Sequence, residues 1–145
     1  MTLIRLSVAE RVSRCMRGNR SKATKPELIV RRTLHKMGYR FLTNWSGLPG
    51  TPDLVFSKRK KVIFVHGCFW HQHPDSKCTL SKMPRSRPGY WVPKLARNRE
   101  RDSENVEAIR ALGWHPVIVW ECQLNNEATL AKEIPAFLGP KRLPD

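Results

Sequence analysis

Residues 53–67 read DLVFSKRKKVIFVHG, two short runs of branched and aromatic apolar residues separated by a cationic turn. Val, Ile and Phe suit a pleated, covered surface, so DLVFS and KVIFVHG are expected to pair as consecutive central strands with at least one buried face. Working outward, residues 24–39 (TKPELIVRRTLHKMGY) predict a helix. Thr24 is placed to cap it, Pro26 lies in its first turn, and Leu28, Ile29, Leu34 and Met37 recur at helical spacing before Gly38. Residues 39–42 are expected to form a short strand, and NWSGLPGTPD (44–53) a turn-rich connection. Beyond a loop over 74–90, residues 91–113 predict a long helix with Leu95, Val106, Ile109 and Leu112 as core positions. HPVIVWE (115–121) predicts another buried strand, and ATLAKEIPAFLG (128–139) a closing helix that Pro135 is expected to interrupt. This order implies an α/β fold with a mixed sheet flanked by helices.

A chain of 145 residues suits one domain, here residues 24–145, preceded by a basic arm over 1–23. Lys and Arg number 27 against 12 Asp and Glu, a formal charge of +15 that attracts polyanions. Hydrophobic residues still make up 40% and five are Trp, so the chain is expected to fold and to bind a phosphate-rich partner. No apolar run approaches membrane-spanning length, and MTLIRLSVAERVSR lacks the pattern of a signal peptide, which points to the cytosol. In a reducing compartment, four cysteines with interleaved histidines favour metal ligation over disulfides.

Residues 66–78, HGCFWHQHPDSKC, concentrate the chemistry. Cys68, His73 and Cys78 are spaced five apart, and Cys122 follows the last strand. Three thiolates and one imidazole make a closed tetrahedral zinc site, structural rather than hydrolytic because no position is left for water. The plainer alternative is a buried apolar Cys122 and an incidental loop thiol at Cys78. Cys15 lies outside this cluster and reads as a free thiol.

His66 and His71 remain. Two imidazoles in one cleft can serve as general base and general acid; alternatively they are polar loop residues, or His71 competes with His73 as the zinc ligand. Asp53 opens the first central strand. A carboxylate there can hold Mg2+, although a Pro-Asp pair also simply makes turns. Glu27 stands at the capping-box position relative to Thr24, and Asp102 lies in the charged stretch RNRERDSEN. Phe69-Trp70 and Tyr90-Trp91 are aromatic pairs able to stack on bases, or to pack over the zinc loop. Met16, flanked by Arg residues in the arm, can act as an apolar wedge in a groove. Trp45, Trp114 and Trp120 read as packing aromatics.

The stretches RCMR (14–17), TKPELIVRRTL (24–34), LPGTPDLVF (48–56), VIFVHGCFWHQH (62–73), YW (90–91), KLARNRERD (94–102) and LGWHPVIVWEC (112–122) together resemble the very short patch repair endonucleases of bacteria, in the family's own order. The resemblance implies a single-domain restriction-endonuclease-like fold. It also implies Mg2+-dependent nicking of double-stranded DNA 5′ to the T of a T:G mismatch, the lesion left by deamination of 5-methylcytosine. Carried over by motif, Asp53 binds Mg2+ together with the backbone carbonyl of Val65. His66 contacts a metal-bound water or moves a proton, His71 is the general base, and Glu27 and Asp102 support them. Cys68, His73, Cys78 and Cys122 match the zinc ligands. Phe69, Trp70 and Trp91 match the aromatics that enter the major groove, and Met16 the minor-groove wedge. The implied setting is a monomer in the bacterial cytoplasm, associated with the nucleoid and with mismatch-repair proteins as partners.

Three positions depart from familiar patterns. Phe64 and His66 stand where restriction nucleases carry an acid and a Lys, as they do in the repair family. Val65 replaces a familiar Thr, and Cys78 falls later than the usual third zinc ligand. Two other readings stay open at this level: a restriction-like or mobile-element endonuclease that cuts matched DNA, and a non-catalytic, zinc-stabilised DNA-binding module.

Overall fold

The structure, a computed structural model, describes residues 24–125 and 127–140. The basic arm with Cys15 and Met16 lies outside these residues. Helix α1 (Lys25–Lys36) begins as its capping chemistry requires: Thr24 is extended, its hydroxyl accepts the N–H of Glu27 at 3.4 Å, and Pro26 occupies the first turn. Strands β1 (Leu42–Thr43), β2 (Leu54–Phe56) and β3 (Lys61–His66) follow. The basic segment between β2 and β3 forms a 3-10 turn at Ser57–Arg59, closed by Lys60 in the left-handed region at φ 53°. Helix α2 (Pro88–Ala111) leads to β4 (His115–Trp120), and a second 3-10 turn at Glu121–Asn125 is followed by α3 (Glu127–Leu138).

The sheet order is β1-β2-β3-β4, with β1/β2 and β2/β3 antiparallel and β3/β4 parallel. The parallel pair requires a crossover, and α2 lies within it. Alternation of side chains along the strands sorts the core into two clusters. Leu54, Phe56, Ile63, Val65 and Val119 pack with residues of α1 and α3. Val55, Val62 and Phe64 pack with Leu48 and with Ile109 of α2. Strands β2 and β3 are therefore covered on both faces, which is why their sequences are continuously apolar. Leu54 and Ile63 are fully buried, each stabilising the fold by about 1.5–3 kcal/mol. His66 shares the parity of Val62 and Phe64, so the same alternation directs it towards α2.

Several local expectations need correction. Helix α2 starts at Pro88 rather than Trp91, because Pro at the first helical position has no N–H to lose and a preset φ. Pro135 does not interrupt α3; buried Ile134 and Leu138 hold the helix against the sheet. Leu112 is 57% exposed at the end of α2 rather than in the core, and Trp45, expected to pack, is 41% exposed with its indole over Gly47. The short strand covers Leu42–Thr43 only, since Tyr39 instead turns inward and donates its hydroxyl to the Gly139 carbonyl at 2.7 Å.

Candidate active site and metal centre

Because β2 runs antiparallel to β3 while β4 runs parallel to it, Asp53, His66 and Cys122 all fall at the same end of the strands. A cleft of about 290 Å³ opens there, with Asp53, Val65, His66, His71 and Asp102 among its walls. Asp53 Oδ2 accepts the backbone N–H of Val65 at 2.7 Å, fixing the carboxylate beside the end of β3. Burial, reinforced by the adjoining carboxyl of Glu27, pushes Asp53 up from 3.8 to about 8, against the downward pull of the Val65 N–H. A carboxyl held this way either keeps a proton or awaits a cation.

Glu27 is almost wholly buried. Its carboxylate pairs with Arg31 and accepts from Asn44 Nδ2 at 3.5 Å. Thr24 thus caps α1 as a capping box would, but the Glu27 side chain faces Asp53 and Arg31 and supports the cleft. Hard oxygen donors, the Asp53 carboxylate and the Val65 carbonyl, suit Mg2+, and the cost of ionising Asp53 in place is a cost that a cation offsets.

Across the cleft, Asp102 of α2 meets both histidines. Its Oδ2 lies 2.6 Å from His71 Nδ1, and its Oδ1 lies 4.0 Å from His66 Nε2. The two imidazoles stack at 3.8 Å between centroids, with 7° between planes. With Asp102 ionised, His71 must carry its proton on Nδ1, which leaves Nε2 as an acceptor. These nitrogens and the carboxylate also lie within 4.8 Å of one another, close enough to share an ion, but imidazole donors suit transition metals rather than Mg2+.

The second cluster comprises Cys68, His73, Cys78 and Cys122, whose donor atoms all lie within 4.8 Å of one another. His73 Nδ1 is 3.7 Å from Cys68 Sγ and 3.4 Å from Cys122 Sγ. A tetrahedral zinc with ordinary bond lengths has sulfur-to-nitrogen edges of about 3.6 Å, so these separations fit. Burial pushes the Cys68 thiol up to about 12 and raises Cys122 as well. At Cys78 burial also acts upward, but hydrogen bonds with His73, Ser81 and Cys68 outweigh it and bring the thiol down to about 6. The late position of Cys78 is no obstacle, because a turn in which its N–H donates to the Asp75 carbonyl at 3.0 Å folds it back. Trp120 stacks on His73 at 4.3 Å and meets His66 edge-on at 5.2 Å, so it packs between the two clusters.

Phe69, Trp70 and Trp91 form one aromatic group with centroids 5.0 to 5.8 Å apart, and Tyr90 adjoins Trp91 at 4.9 Å. Lys94 lies over both Trp70 and Tyr90. Asn98 donates to the Trp70 carbonyl at 3.0 Å, which ties this group to the helix that carries Asp102. Sequence reasoning did not single out Asn44, Thr51, Asn98, Arg101 or Asn105, all of which line the cleft. For those on α2 a signal existed: residues 98, 101, 102 and 105 recur at i, i+3, i+4 and i+7, a single polar face.

The sequence profile described as DNA mismatch endonuclease Vsr matches residues 6–77. The chain is 45% identical over 131 residues to the type II nicking enzyme V.XorIIP of Xanthomonas oryzae pv. oryzae, spanning 90% of this chain and 94% of that protein. It is 38% identical over 121 residues to the DNA mismatch endonuclease Vsr of Escherichia coli K12, spanning 83% and 76%. Identity to the type II nicking enzyme V.NaeI of Lentzea aerocolonigenes is 39% over 124 residues, spanning 82% and 72%. The chain therefore belongs to the Vsr family of DNA mismatch endonucleases and is a DNA-cleaving hydrolase.

Proposed function

We propose that this endonuclease nicks one strand of double-stranded DNA on the 5′ side of the T in a T:G mismatch, with Mg2+ as the catalytic ion and zinc as a structural one, on a restriction-endonuclease-like fold. The observation that carries the proposal is the convergence of Asp53, His66, His71 and Asp102 on one cleft beside a group of half-exposed aromatics. Similarity to an enzyme named for mismatch cleavage and to others named for nicking supports it.

Asp53 and the Val65 carbonyl would hold Mg2+, which when bound neutralises phosphate charge and lowers the pKa of water. His71, oriented by Asp102, accepts the proton of the attacking water at Nε2. His66, stacked against it, provides the second proton carrier needed to protonate the departing oxygen. Glu27 holds Asp53 in place from the buried side. Phe69, Trp70 and Trp91 fill the gap left when a mismatched step is unstacked, a step easier to open than a matched one. Cys68, His73, Cys78 and Cys122 would hold the zinc, pinning the loop that carries Phe69, Trp70 and His71 to the end of β4. A single cleft per chain suffices for a nick at an asymmetric lesion, so the working unit is a monomer.

The test is a strand-resolved cleavage assay with Mg2+ on otherwise identical T:G and T:A duplexes. A break in the T-containing strand of the mismatched duplex alone supports the proposal. Cutting of both strands of matched DNA would instead support a restriction-like enzyme.

A further inference from the structure

Four polar residues of α2 line the cleft at helical spacing beside Val106, and three of the four are committed to its walls. Asn98 donates to the Trp70 carbonyl at 3.0 Å, and Asp102 holds His71 at 2.6 Å. Asn105 packs against the Gly50 turn so closely that a Cβ at Gly50 would sit 2.9 Å from its side chain. The fourth, Arg101, is exposed and forms no ion pair among the described residues. It is also the one Lys or Arg among the described residues that line the cleft. A permanently charged, planar donor fork, without an ion-pair partner among the described residues and at the mouth of a cleft that carries carboxylates and imidazoles, suits an incoming dianionic or developing oxyanionic group.

We propose that Arg101 is a catalytic residue that grips a non-bridging oxygen of the phosphodiester being cleaved, and that its guanidinium balances the negative charge that grows there as water adds. The inference rests on the proposed cleft chemistry but not on the identity of the mismatch. His71 removes a proton from water and His66 returns one to the leaving 3′ oxygen; Arg101 exchanges no proton, its role being electrostatic and geometric. A Lys at this position keeps the charge but loses the two-pronged contact.

The experiment compares wild type with Arg101→Gln and Arg101→Lys, using the full chain in single-turnover nicking at saturating protein with Mg2+. Duplex affinity and its salt dependence are measured separately with Mg2+ omitted. The expected result is a fall of about 10²- to 10³-fold in the nicking rate for Arg101→Gln, with partial recovery in Arg101→Lys. Affinity should change little, and the melting temperature should hold, as for any exposed side chain. A phosphorothioate at the scissile position should slow the wild type in one diastereomer and lose that selectivity in Arg101→Gln. A wild-type rate in Arg101→Gln would overturn the proposal. So would a loss confined to affinity, with the salt slope reduced by about one, because that pattern marks a flanking phosphate contact. If the wild type does not prefer T:G, the mismatch reading fails on its own, and Arg101 is tested on the duplex that is nicked.

Discussion

Replacing Asp102 by Asn tests the proposed proton relay with little change of shape. The Asp102 to His71 contact at 2.6 Å is short enough to be charge-assisted, and both side chains are largely shielded, 21% and 14% exposed. When His71 takes up a proton, the new cation lies against the Asp102 carboxylate. With charge centres about 4 Å apart and an effective dielectric of about 20 to 40, that attraction is worth about 2–4 kcal/mol. The amide of Asn keeps a hydrogen bond but not this charge, so the single-turnover nicking rate should fall about 30- to 1,000-fold. Because neither residue belongs to the core, melting temperature and duplex affinity should stay close to wild type. The assay is a quench-flow or gel time course with enzyme in excess over mismatched duplex. Nicking by Asp102→Asn within about threefold of wild type would refute the relay, since a difference that small corresponds to less than about 1 kcal/mol.

The thiol cluster predicts proton release on zinc uptake: near neutral pH Cys68 and Cys122 start protonated while Cys78, brought down to about 6, is already a thiolate. Calorimetry of zinc addition in buffers of different ionisation enthalpy should therefore detect about two protons released, and Cys68→Ser should lower both zinc content and melting temperature. Asp53 predicts a pH dependence of opposite sense to that of an ordinary ion-paired carboxylate. Its folded value of about 8 exceeds 3.8, so the stability linked to this group is full below 3.8 and is lost as pH rises towards about 8. Mg2+ must displace the same proton, so its affinity, read as a thermal shift, should be about 30-fold weaker near pH 6.5 than above pH 8. Trp70→Ala should weaken binding to a mismatched duplex by about 5- to 150-fold, equivalent to the loss of about 1–3 kcal/mol of base stacking, and should affect a matched duplex less.

Much of the fold is legible locally because local rules suffice there. The apolar runs of β2 and β3 and the Thr24 cap of α1 each depend on neighbours a few residues away. The site is legible in its ingredients but not in its connections. Nothing in the spacing of His71 and Asp102 reveals a 2.6 Å contact, because it is made only when α2 crosses the sheet. Glu27 reads locally as a helix-cap partner, and its burial against Asp53 and Arg31 is a tertiary result. Likewise Trp45 by its type and Leu112 by its helical spacing look like core residues, yet each is exposed among the described residues. The prolines mislead for the opposite reason: a general penalty is outweighed by burial around Pro135 and vanishes at the first position of α2.

The central claim is that one cleft, anchored by Asp53 and worked by His71, makes a single break beside a mismatched T. The most direct measurement maps the cleavage products of a T:G duplex, strand by strand and with Mg2+, for wild type, Asp53→Ala and His71→Ala in parallel with their binding to the same DNA. The account predicts one break, 5′ to the T, from wild type alone, while both variants still bind the duplex. A variant lacking Asp53 or His71 that nicks at the wild-type rate, or a wild type that breaks both strands, would contradict it.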